Sequence, residues 1–156
     1  EFYPFENMNK KIEDAILLNS QNYTKGQISE RGISSIFSFL EWIESLESWL
    51  RLQVSRLLFR FAYQIIAKRG TMGGGFRYIY KEFLKFAEKR SNKINKMKLS
   101  NQMLHIGKLW EKGAYLMKDI SEKRNKQDFI KLKKTLIELY SLEFEYHVNV
   151  LDTLGN

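Results

Sequence analysis

One proline in 156 residues, Pro4, is the strongest constraint on what this chain can fold into. Proline inside a helix removes a hydrogen bond and clashes with the preceding turn, so everything after Pro4 is free to be helical. The apolar residues recur at helical spacing, and no Asn-Gly or Asp-Gly dipeptide sits between alternating runs as a tight hairpin would require. The expected fold class is therefore all-α, a single orthogonal or antiparallel bundle of about six helices over residues 1–156. Hydrophobic residues at 44% and charged residues at 28% suit a buried core and not a disordered chain.

A first helix is expected from about Asn9 to Ser20, with Ile12, Ala15, Ile16 and Asn19 on one face and Leu17 and Leu18 widening it. Gln21 to Gly26 reads as a polar break. A second helix starts near Gly32 and continues through Ile33, Ile36, Phe37, Leu40 and Ile43, with Glu41, Glu44 and Glu47 on a solvated face beside Trp42. It ends or bends at Leu46 to Trp49, where Ser48 is placed to cap the next helix. From Trp49 to Lys68 apolar residues cover most of the circumference and leave Arg56, Arg60, Gln64 and Lys68 as a narrow polar stripe. That pattern predicts a helix at the centre of the bundle.

A fourth helix begins at Phe76 and is expected to bury Phe76, Ile79, Tyr80, Phe83 and Ala87, with Leu84 and Phe86 beside them. Ser91 to Lys98 is a lysine-rich connection. The fifth helix carries Leu99, Met103, Ile106, Trp110, Ala114, Met117 and Ile120, and Gly107 and Gly113 flank its tryptophan as sites of close helix approach. After a loop from Ser121 to Lys126, a sixth helix runs from about Gln127 to Leu151 with Phe129, Leu132, Leu136, Leu139, Tyr146 and Val150 on its face. A short connection between two long helices predicts an antiparallel hairpin.

The chemistry-bearing residues are sparse. There is no cysteine, which removes disulfides, thiolate metal sites and a cysteine nucleophile from this chain. His105 and His147 fall on different helices, a poor basis for zinc. Glu143 lies one turn before His147, as a helix-surface pair or as a carboxylate orienting a general base. A Gly-x-Ser-x-Gly elbow is missing, and the glycines do not match a P-loop. No catalytic residue is assigned. The longest apolar stretch, Trp49 to Ala67, is interrupted by Arg51, Arg56 and Arg60, so no membrane span is expected and the location expected is cytoplasmic.

Net charge is +8 overall and +10 over residues 81–134 alone. Such an excess attracts nucleic acid, anionic membrane or an acidic partner, or is a lysine-rich solvated surface. The basic residues are scattered and show no helix-turn-helix spacing, which argues against nucleic acid.

The most specified stretch is Arg69-Gly70-Thr71-Met72-Gly73-Gly74-Gly75-Phe76-Arg77, which holds four of the nine glycines. Glycines opening a helix expose backbone N–H groups that suit an anion, with Arg69 and Arg77 supplying charge from either side. Alternatively, Gly70 ends one helix in the left-handed conformation, and Gly73 to Gly75 permit a sharp reversal with tight contact. The candidate ligand-binding residues are Arg69, Gly73, Gly74, Gly75, Arg77 and Tyr80.

The block Gly73-Gly74-Gly75-Phe76-Arg77-x-x-Tyr80-x-x-Phe83-Leu84, followed by Ile106-Gly107-x-x-Trp110, resembles the helical C-terminal domain of butirosin biosynthesis protein H and its relatives. Ala15-Ile16 and Gly32-Ile33 extend the similarity over most of the chain. In that family a papain-like domain precedes the helical one, and the founding activity moves an acyl group from an acyl carrier protein to an aminoglycoside amine. The nucleophile and its partners belong to the papain-like domain. The resemblance implies a non-catalytic domain that packs on the papain-like domain, completes its acceptor or carrier site and is able to dimerise. Residues 1–8, with Phe2-Tyr3-Pro4-Phe5, are then expected to be a linker from that domain. A phosphopantetheine phosphate of the carrier is the anion expected at the glycine stretch, and Arg77→Ala is expected to weaken acyl transfer without unfolding the chain. The alternatives are a basic helical nucleic-acid-binding module and a homodimeric interaction module.

Overall fold

The computed structural model describes residues 7–25, 32–46, 53–69, 73–123 and 125–155. Phe2 to Phe5, Gly26, Glu47 to Arg51 with the Ser48 cap, and Gly70 to Met72 lie outside the described residues. Seven α-helices and no strand are found among the described ones: α1 Met8–Thr24, α2 Ser34–Leu46, α3 Gln53–Tyr63, α4 Arg77–Glu88, α5 Asn92–Met97, α6 Leu99–Lys123 and α7 Lys126–Leu154. The last turns of α3 loosen into a π-helical stretch, Gln64–Lys68, and a three-residue 3-10 turn, Gly74–Phe76, leads into α4. The all-α reading and the final hairpin are both present.

Helix α6 is the centre of the bundle, with α7, α4 and α3 packed around it and α1 and α2 laid on α7. Leu99, Met103, Ile106, Ala114, Met117 and Ile120 of α6 are buried, and so are Phe129, Leu132, Leu136, Leu139, Tyr146 and Val150 of α7. Each such large side chain contributes roughly 1.5–3 kcal/mol, which makes this hairpin the stable frame for everything else. Asn125 caps α7, its Oδ1 accepting from the Gln127 amide at 2.9 Å.

Several expectations are corrected. Helix α1 continues through Gln21 to Thr24, and it leaves Ala15, Leu18 and Asn19 exposed. The lysine-rich connection folds into the short helix α5, because Ser91 caps it through the Ile94 amide. Phe37 faces out from α2. The larger corrections concern α3 and α4. Helix α3 lies at the periphery: Phe59 and Tyr63 are buried, whereas Val54, Leu57, Leu58, Phe61 and Ile65 are exposed. Helix α4 buries Leu84 and Ala87 against α6 and exposes Phe76, Ile79, Phe83 and Phe86. Both are edge helices with a second apolar stripe, and apolar density alone does not reveal which stripe meets the core.

Candidate functional site

Four consecutive residues, Gly73 to Phe76, take positive φ, at 82°, 58°, 54° and 69°. Glycine enters this region freely, but an aromatic residue with a Cβ is strained there, so Phe76 is held by its surroundings. Close contact is the reason for the shape. A Cβ on Gly74 would meet the carbonyl oxygen of Gly107 at 2.9 Å, and one on Gly107 would meet the Tyr78 ring at 2.8 Å. The turn therefore lies backbone against backbone on α6. The close approach expected at Gly113 is not found: a Cβ there would meet only the Leu132 and Thr135 methyls of α7 at 3.9 and 4.0 Å, an ordinary contact.

Seated there, α4 aims Arg77 across α6 at α7. Its Nε and Nη2 donate to Glu143 Oε1 at 3.0 and 2.7 Å. Nη1 donates to the Gly75 carbonyl at 2.8 Å, and Nη2 also reaches the Tyr23 hydroxyl at 3.1 Å. Trp110 Nε1 donates to the same Glu143 oxygen at 2.8 Å, and its ring lies 5.1 Å from the guanidinium carbon. The second Glu143 oxygen faces His147 Nε2 at 3.7 Å. His147 Nδ1 pairs with the Ser20 hydroxyl at 2.9 Å, and the imidazole stacks on Tyr23 with centroids 4.3 Å apart. The Glu143 and His147 side chains are 1% and 3% exposed, so this is an interior network.

The electrostatics follow from the geometry. Burial would raise the Glu143 pKa, but His147, Arg77 and Trp110 outweigh it and hold the carboxyl below its usual range. Burial likewise opposes the Arg77 charge, but Glu143 and Tyr23 overcome it and push the guanidinium further up. Tyr23 is pushed up to about 12 by burial and by the Glu143 charge. Arg77 and Glu143 thus stand as a charged, mutually neutralising pair. Low-dielectric surroundings make such a pair costly to break.

Beside the pair opens a cavity of about 270 Å3, with Asn19, Tyr23, Phe76 and Tyr80 on its walls and Arg77, Glu143 and His147 on its polar side. Tyr80 accepts from Asn19 Nδ2 at 3.3 Å. Its hydroxyl also interacts with that of buried Tyr146, although the two lie outside hydrogen-bond geometry. Of the candidate residues, Gly75, Arg77 and Tyr80 line the cavity. Gly73 and Gly74 are buried in the contact with α4 and α6. Arg69 is exposed, is not among the lining residues and has its guanidinium 5.8 Å from the Phe61 ring.

The structure joins the two separate pieces of the sequence block. Gly74 rests on Gly107, and Arg77 stacks on Trp110. It adds a third piece that sequence reasoning places elsewhere. The Glu143–His147 pair is not on a helix surface, because Ser20 and Tyr23 of α1 cover it and Arg77 neutralises it. A signal for this exists in the spacing: Glu143 falls seven residues after Leu136 and four after Leu139, on the face that α7 buries. A second correction concerns Arg77, whose removal would strand a buried carboxylate. Loss of the fold's stability, and not of activity alone, is the expected consequence of Arg77→Ala.

Among the described residues no group of three or more His, Asp or Glu side chains is placed to hold a metal ion. No described helix is long and apolar enough to cross a membrane. No curated protein and no solved structure matches the chain. The family described as "Domain of unknown function (DUF4872)" matches residues 4–150. With nearly the whole length matched, the chain belongs to that family.

Proposed function

We propose that this chain is the non-catalytic helical domain of an acyltransferase resembling butirosin biosynthesis protein H, packing on a papain-like domain of the same polypeptide in the cytoplasm. The observation that carries the reading is the pair of exposed apolar stripes on the two helices that flank the glycine turn. One is Val54, Leu57 and Phe61 of α3 with Ile65 of the π-helical stretch after it, and the other is Ile79, Phe83 and Phe86 of α4 with Phe76 of the turn before it. Contiguous apolar faces of this kind mark a surface that another protein surface covers. The interior Arg77–Glu143 pair supports a structural task for the turn, since it ties the start of α4, which carries one of the stripes, to α7. With Arg77 engaged by Glu143, exposed Arg69 is the better cation for a carrier's phosphopantetheine phosphate.

The test uses the full-length parent with carrier-bound acyl donor and an amine acceptor. Phe83→Lys and Leu57→Lys are expected to lower acyl transfer at least tenfold while the isolated chain keeps its helicity and melting temperature. Unchanged turnover in both variants would remove the packing role. A reading frame that encodes no papain-like domain before Glu1 would remove the acyltransferase reading altogether.

A further inference from the structure

The outer face of α7 carries a separate pattern that the accessory-domain reading does not use. Ile130, Ile137 and Phe144 recur one heptad apart along it and are 38%, 55% and 47% exposed. They stand opposite the side that α7 packs against α6. Phe37 of α2 leans on Tyr140 with ring centroids 6.3 Å apart, and Tyr140 stacks on Phe144, which broadens the strip along one margin. On the other margin the charges divide by sign. Exposed Lys131 and Lys134 lie in the N-terminal half, and exposed Glu138 and Glu145 lie toward the C-terminus.

We infer that α7 pairs with α7 of a second copy of this chain, antiparallel, about a two-fold axis at Ile137. A two-fold perpendicular to the helices sets Ile137 against the partner's Ile137 and Ile130 against the partner's Phe144. The same operation keeps equivalent margins together, so Lys134 meets the partner's Glu138 and Lys131 meets the partner's Glu145. Apolar seam and charges agree on one register, and the interface is self-complementary as a two-fold contact must be. Parallel pairing, about an axis along the helices, would instead set this charged margin beside the partner's Tyr140 margin and leave its lysines and glutamates without each other as partners, which disfavours it. This inference is independent of the packing role given to α3 and α4.

The chain has no cysteine, so introduced thiols report the register without background. In sedimentation experiments the 156-residue chain is expected to be a dimer. Ile137→Cys is expected to form a disulfide-linked dimer on mild oxidation. Ile130→Cys and Phe144→Cys are each expected to stay unlinked alone and to link when combined in one chain. Ile137→Glu should give a monomer with unchanged far-UV circular dichroism. Lys134→Glu should weaken the dimer by about tenfold, and adding Glu138→Lys should restore it, because both symmetry-related pairs reverse together. A monomeric parent chain would overturn the inference, as would a dimer that survives Ile137→Glu through another face. Cross-linking of Ile130→Cys alone would overturn the antiparallel register.

Discussion

Helices α3 and α4 are about as rich in large apolar side chains as α6 and α7, yet they bury a smaller share of them. The hairpin of α6 and α7 is sandwiched, so its main apolar arcs are covered by neighbours and α7 keeps only the narrower strip of Ile130, Ile137 and Phe144 outside. Helices α3 and α4 each meet α6 along one arc and leave a second apolar arc outside. Apolar content therefore does not measure centrality. What places a helix is the number of neighbours its arc can reach, and an edge helix with an apolar outer arc has a further surface to meet.

The largest expected effect tests the interior side of this contrast. Arg77→Ala and Glu143→Ala should each destabilise the chain by about 3–5 kcal/mol in urea unfolding, because each leaves one buried charge without its partner. Glu143 also gives the contrast a pH signature. Its folded pKa lies below the ordinary carboxyl value of 4.5, so its contribution is complete above that value and is lost as pH falls through the lower folded one. Melting temperature should accordingly drop more steeply in acid for the parent chain than for Glu143→Gln.

Next in size is the contact that locks α4 to the frame. Gly107→Ala places a methyl against the Tyr78 ring and should cost about 1–3 kcal/mol by the same measurement. Phe76→Gly works in the opposite direction, since it removes a Cβ from a left-handed position. It should stabilise the isolated chain by up to about 1 kcal/mol despite the loss of an exposed ring. If Phe76→Gly proves destabilising, the ring makes contacts that matter in the isolated chain. The smallest effect belongs to the outer arcs: Leu57→Lys and Phe83→Lys should change unfolding free energy by no more than about 0.5 kcal/mol. Larger losses would mean that these stripes belong to the core.

Much of the frame is legible in the order of the amino acids. Leu99 to Ile120 and Phe129 to Val150 announce two long helices whose buried faces are the observed ones, and Gly107, though not Gly113, marks a close approach on α6. The outer stripes of α3 and α4 are not legible in the same way, because a helix with two apolar arcs gives no sign of which arc is inward. The site is half legible. Arg77 and Tyr80 stand out beside the glycines, but Tyr23, Glu143, His147 and Ser20 do not, since their meeting joins residues of α1, α4 and α7 that are far apart in sequence.

The sequence by itself determined that the chain is helical, where its two longest helices run and that glycines must admit a close backbone contact. Each of these follows from local rules of proline, periodicity and steric size. Only the tertiary structure decided that Arg77 spends its charge on Glu143, that His147 is interior and that the apolar faces of α3 and α4 point outward. Those outcomes depend on which surfaces α6 has room to cover, and that is a property of the packed assembly of helices.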